Sequence, residues 1–182
     1  MNQVAEKAGI VKGTLYLYFK TKEELFLALH QQEIQTLLAS WQESVEKMTN
    51  PDQLPEICAA AFSNQPLLMT LLGVTNQVLE HNISFEMAKE FKLESHEKLG
   101  MLATVIEQKC DWMQAGQGSE FVMILASYAM GLWSSAQPAP IVREVYKQMP
   151  ELRGGQMDFS NALQKGARWL YQGMEKETGN NG

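Results

Sequence analysis

Lys12-Gly13-Thr14-Leu15-Tyr16-Leu17-Tyr18-Phe19-Lys20-Thr21-Lys22-Glu23-Glu24-Leu25 compresses a short helix, a turn and the start of a long helix into fourteen residues. Lysines and tyrosines stand together in it, the pairing that grips a phosphate backbone. Upstream, Val4, Ala5 and Ala8 give an apolar face, and Gly9 follows where a helix must turn through a left-handed residue. Leu15 and Phe19 stand four apart and share the inward face of the next helix, leaving Lys12, Thr14, Tyr16 and Tyr18 on the others. Thr21 and Glu24 have the spacing of a capping box. Two helices joined by a tight turn are a helix-turn-helix. On spacing alone, an ordinary helical hairpin with solvated lysines stays open beside it.

At these residues the chain resembles the DNA-binding signature of the tetracycline-repressor (TetR) family. The shared run is Val4-Ala5, Ala8-Gly9-Ile10, Lys12-Gly13-Thr14-Leu15-Tyr16, Tyr18-Phe19, Thr21-Lys22-Glu23 and Leu25, within about the first thirty residues. The resemblance implies that Lys12 and Gly13 approach base edges in the major groove of an operator. It implies that Thr14, Tyr16, Tyr18 and Lys22 hold phosphates, with Leu15 and Phe19 seating the helix. Val11 departs from the family's Ser or Thr at the N-cap, a loss of about 1 kcal/mol. Leu17 replaces an aromatic or His that touches phosphate. The family's unit has three helices. The first, with its connection roughly 15–20 residues, is expected upstream of Met1, so the reading head is partial as the sequence stands. Either the start is misassigned or truncated, or firm DNA binding has been given up.

Charge is unevenly placed. Residues 1–30 hold four lysines and three glutamates, net +1, whereas the remainder holds eleven basic and eighteen acidic residues, net −7. An acidic body behind a slightly basic tip suits a protein that offers only the tip to nucleic acid. Cys58 and Cys110 lie far apart in apolar helical contexts, where buried free thiols of a reducing cytoplasm are expected, with a redox-sensing pair as the alternative. The longest apolar run, Phe121 to Ala136, is interrupted by three serines and is too short to span a bilayer. No membrane role and a cytoplasmic location are expected.

The rest predicts an all-α chain: a partial helix-turn-helix over 1–30, then a helical ligand-binding and dimerisation bundle over 31–182. A long helix from Lys22 carries Leu25, Phe26, Leu29, Ile34, Leu37, Leu38, Trp41, Val45 and Met48 to a stop at Asn50-Pro51. Helices are expected over Asp52–Phe62, from Pro66 to about Glu80, and after Ser84 with an inward face of Phe85, Ala88, Phe91, Ser95, Leu99, Leu102 and Ile106. An apolar helix to Ala136 follows the Gly116–Ser119 break. A short one ends near Met149, and a last runs from about Asp158 to Glu177 before a frayed tail from Thr178.

The 120–136 helix is apolar nearly all round and needs cover on both sides. With small residues Ala126, Ala129 and Gly131, and with the 158–177 helix beside it, it predicts a homodimer. A central helix buried in a monomer is the alternative. The resemblance favours the dimer, because that family pairs through its last two long helices.

Catalysis finds no foothold. His30, His81 and His96 lack partners at metal-ligand spacing and read as surface or hydrogen-bonded histidines, and no phosphate loop is present. No metal or cofactor is expected. Aromatics and methionines between helices suggest a pocket for a small apolar effector, with Trp41, Phe62, Met69, Leu72, Met87, Phe91, Trp112, Tyr128 and Trp133 as candidate walls, although large apolar side chains are more often plain core. The expected function is a ligand-responsive transcriptional regulator whose long helix tilts when the effector enters. The alternative is a dimeric helical binding protein without DNA function.

Overall fold

A computed structural model describes residues 1–74, 83–155 and 158–180. Helix α1 (Asn2–Ala8) ends at Gly9, whose φ of 67° and ψ of 25° place it in the left-handed region. Helix α2 (Lys12–Tyr18) starts at an extended Val11 that offers no side-chain cap, and the extended Phe19 ends it. Helix α3 (Lys22–Glu46) is capped by Thr21, whose Oγ1 accepts from the Glu24 backbone N–H at 3.1 Å. The Glu24 carboxylate reaches back one residue past the cap and accepts from the Lys20 N–H at 2.6 Å. The joint between α2 and α3 is therefore held from both sides.

A 3-10 turn at Pro51–Gln53, closed by an Asn50–Gln53 capping box, occupies the first part of the expected Asp52–Phe62 helix. The α-helix itself, α4, spans Leu54–Ser63, with Pro55 in its first turn. Helix α5 (Pro66–Val74) opens at Pro66. Its expected extension to Glu80 lies outside the described residues. Helix α6 (Phe85–Lys109) is capped by Ser84, and α7 spans Gln117–Ala136. Helix α8 (Pro140–Gln148) and a 3-10 turn at Pro150–Gly155 lead to α9 (Phe159–Asn180). No strand occurs among the described residues.

The body is a closed ring of helices. Contacts run from α3 to α4, α4 to α9, α9 to α7, α7 to α6 and α6 back to α3, with α5 lodged between α3 and α7. Inside sit Trp41, Leu54, Leu102, Ile106, Phe121, Leu125 and Leu163, all fully buried. Helix α8 packs mainly on the 3-10 turn after it, and Ile141 is left exposed.

Expectations about two helix faces and one helix end are corrected. Phe26 is exposed while Leu27 and His30 are buried, because Phe91 of α6 lies against the His30 ring with centroids 5.2 Å apart. The buried stripe of α3 accordingly runs Leu27, His30, Leu37, Trp41 and Val45, and of the two readings of His30, surface or hydrogen-bonded, the surface one is excluded by its burial. Phe85 is exposed, being the first residue of α6, whose half-buried side begins only at Met87. The tail is not frayed at Thr178. Its hydroxyl donates to the Met174 carbonyl and bonds the Gln117 amide, so α9 continues past the expected end. His81 falls outside the described residues.

Candidate nucleic-acid interface and effector cavity

Helix α2 turns one side to the protein and the rest to solvent. Leu15 is buried and Phe19 half-buried, while Lys12, Gly13, Thr14, Tyr16, Leu17 and Tyr18 are all exposed. Lys12 Nζ lies 5.7 Å over the Tyr16 ring, so a cation and a hydroxyl are presented together. Lys22, at the first turn of α3, is exposed and only 3.7 Å from Glu23. The six DNA-contact candidates thus share one solvent-facing end of the molecule. Lys12, Thr14, Tyr16, Tyr18 and Lys22 carry exposed donors on a short helix and on the start of the next.

Behind this end, α6 touches both the head and the body. Met87, Glu90 and Phe91 meet Tyr18, Phe19, Leu27 and Gln31 around a cleft of about 150 Å³. One turn farther along, the Glu94 carboxylate accepts from the Gln31 and Gln35 amides of α3 and pairs with Lys98 at 2.9 Å. The Lys98 ammonium, then the Gln31 amide, hold the Glu94 carboxyl below its usual range. Neither Gln nor Glu94 announces such a joint in the sequence. Only the crossing of α3 over α6 brings the three together.

A cavity of about 160 Å³ opens beyond that joint. Helix α3 contributes Ile34, Leu37, Leu38 and Trp41, and α4 gives Phe62. Leu68 and Leu72 come from α5, Ser95 and Leu99 from α6, and Val122, Met123 and Ala126 from α7. Ser95 is the single side chain with a hydroxyl, and no charged residue lines the wall. Phe62 stands edge-on to Trp41 at 5.2 Å.

Of the nine expected walls, Trp41, Phe62 and Leu72 meet here. Met69 is buried and does not face the cavity. Met87 and Phe91 line the cleft below the head instead. Trp112 donates its indole N–H to the Tyr171 hydroxyl at 3.1 Å and packs edge-on to that ring. Trp133 packs edge-on to Phe159, so both tryptophans pin α9.

Tyr128 stands on the outer side of α7 against Gly166 of α9, where an added Cβ would fall 2.1 Å from Tyr128 Cε1. The close approach of α7 and α9 is therefore at Gly166, whereas Gly131 has open space around it. Beside it, Ile124, Tyr128 and Trp169 leave a partly apolar outer face exposed on these two helices.

Cys58 and Cys110 are free and buried. Burial pushes the Cys58 thiol well up, offset in part by the Trp41 indole beside it, and pushes Cys110 up to about 11. No cluster of His, Cys, Asp or Glu able to hold a metal occurs among the described residues. None of their helices is long and apolar enough to cross a membrane.

Comparison with known proteins places the chain in a family. A fatty acid metabolism regulator protein of Bacillus subtilis (strain 168) is 31% identical over 64 residues, 35% of this chain and 33% of that protein. The aligned part is thus about a third of the relative's length. Residues 1–29 match bacterial regulatory proteins of the tetR family. Residues 31–178, nearly the whole bundle, match the tetracyclin repressor-like C-terminal domain. The chain belongs to the tetR family of bacterial regulatory proteins.

Proposed function

We propose that this chain is a ligand-responsive transcriptional repressor of the cytoplasm, with a reading head over residues 1–30 and a ligand-binding and dimerisation body over 31–182. Lys12, Gly13, Thr14, Tyr16, Tyr18 and Lys22 of each copy meet operator DNA. Two copies pair through α7 and α9, with Trp169 and Tyr128 at the seam. Two recognition helices in such a pair must match groove positions about 34–36 Å apart.

The observation that carries this reading is that one helix serves both ends. Lys22 and the capped joint to α2 stand at the start of α3, and Ile34, Leu38 and Trp41 of the same helix line the cavity. A molecule seated there presses on the element that carries the head. The wall supports an uncharged guest. Engineered hydrocarbon cavities of about 150 Å³ hold benzene, so an uncharged hydrocarbon group of that size fits. A free carboxylate would enter with no cation to meet it, a costly burial. The relative's part in fatty acid metabolism supports an aliphatic effector, of which a neutral hydrocarbon portion enters.

The test is a titration of a labelled duplex, taken from the DNA flanking the gene for this chain, with and without saturating benzene or hexane. Binding is expected to weaken about 5–150-fold, the range of ordinary coupling free energies of 1–3 kcal/mol. An affinity unmoved by either compound removes the switch from the mechanism. In parallel, Trp169→Glu is expected to yield a monomer by sedimentation and to lose operator affinity with it. A dimer that survives this change places the seam elsewhere.

A further inference from the structure

The inward row of α6 runs Phe91, Ser95, Leu99, Leu102 and Ile106, and Ser95 alone in it carries a polar side chain. Ser95 and Leu99 both line the cavity, and Ser95 and Ala126 are the smallest side chains of its wall. The serine thus leaves room where a leucine would fill it. Hydroxyls inside helices commonly donate to the carbonyl one turn before them. Thr36, Thr104, Ser127 and Ser135 do so here, four residues back, at 2.9–3.1 Å. The Ser95 hydroxyl does not, and it has no other hydrogen-bond partner in the structure. The only other donor on a wall side chain, the Trp41 indole N–H, lies beside the Cys58 thiol.

A hydroxyl covered by a hydrocarbon guest loses its water and gains nothing in return, which is unfavourable. It has one hydrogen to donate. A carbonyl oxygen on the guest accepts that hydrogen and brings no donor of its own. An alcohol is a poorer match, because two hydroxyls facing each other share one bond and leave one hydrogen over. We propose that Ser95 is the specificity-determining residue of this cavity and selects a small neutral carbonyl compound. The carbonyl oxygen accepts from the Ser95 hydroxyl, and the hydrocarbon part lies against Leu37, Phe62, Leu72 and Val122. This inference rests on the cavity being the effector site and adds to it the one polar group that the effector carries there.

The experiment is calorimetric titration of the full chain with hexane and with 2-hexanone, which share one carbon skeleton and differ by a carbonyl. Ser95→Ala should lower the ratio of 2-hexanone to hexane affinity about 2–12-fold, the net effect of one neutral hydrogen bond. Ser95→Cys, close to serine in size but a weak donor, should lower it in the same direction. Hexane affinity retained by either variant shows that it is folded. A ratio unmoved by both substitutions overturns the proposal while leaving the cavity as the binding site. So does 2-hexanone binding that keeps its full strength in Ala126→Leu while hexane binding is lost, since the ketone then sits elsewhere. Binding of neither compound to the parent overturns the reading of the cavity, and this proposal falls with it.

Discussion

Gln35 of α3 and Glu94 of α6, 59 positions apart, meet through a hydrogen bond of 2.5 Å from the amide to the carboxylate. The same carboxylate takes the Gln31 amide and the Lys98 ammonium. This joint lies between the cleft below the reading head and the cavity in the body, so a relative movement of α3 and α6 must stretch or break it.

Replacing Glu94 by Leu is expected to cost about 1 kcal/mol, below the usual range for hydrogen bonds to a charged group because water still reaches the side chain. The carboxyl is held below its ordinary value of 4.5, so its contribution is fully present above that pH and disappears as pH falls through the lower folded value. Urea unfolding of both proteins at pH 7 and pH 3 checks this. The difference between them should shrink at the acid end, and one that stays constant would show that the charge has no part in it.

Filling the cavity is expected to separate sensing from binding. Ala126→Leu places added methyl groups into the space that the effector would occupy, with a stability gain of about 0.5–2 kcal/mol as in other cavity-filling changes. The variant should bind operator DNA as the parent does and respond to benzene or hexane at least tenfold less. An undiminished response, read by fluorescence anisotropy of the duplex, would exclude this cavity as the site.

Glu107 of α6 holds the beginning of α7, its Oε1 accepting the backbone N–H groups of Gly116 and Gly118 at 2.9 Å each. Glu107→Ala should cost about 1–2 kcal/mol, as loss of a helix N-cap does. Gly118→Ala should cost more, because a Cβ there would fall 2.6 Å from the Ala103 carbonyl oxygen. Thermal unfolding of the two variants gives the order. Gly118→Ala at or above the parent Tm would refute the close approach.

The thiols are expected to resist alkylation. Cys58 and Cys110 are buried, and burial keeps both protonated well beyond neutral pH, Cys110 up to about 11. Iodoacetamide at pH 8 should leave both unmodified in the native protein and label both in guanidinium chloride, as counted by mass spectrometry. Rapid native labelling of either would mean that the core opens around it.

What could be read from the sequence is what short-range chemistry decides. Gly9, the Thr21–Glu24 pair, the Ser84 cap and Pro66 each act within a turn of where they stand, and each ends or begins a helix where the local rule places it. Helix faces were less legible. Phe26 and Leu27 are adjacent and both apolar, and only the position of Phe91 decides that Leu27 and His30 go inward. Among the aromatics, Trp41 and Phe62 open on a cavity while Trp112 and Trp133 brace α9, a distinction that follows from which helices are neighbours. The Gln31–Gln35–Glu94 joint and the Glu107 cap carry no local signal, since their partners come from other elements.

The length of α3 sets a mechanical gain. Twelve residues separate Ile34, at the cavity wall, from Lys22, an arm of roughly 18 Å at 1.5 Å per residue. Pivoting that arm by about 5° swings Lys22 sideways by roughly 1.6 Å. In the proposed pair, two opposed arms would double the figure to about 3 Å, close to a tenth of the 34 Å repeat that both tips would span. If a guest no larger than a benzene ring rotates this stiff rod slightly, as proposed, a pair of tips falls out of step with the duplex.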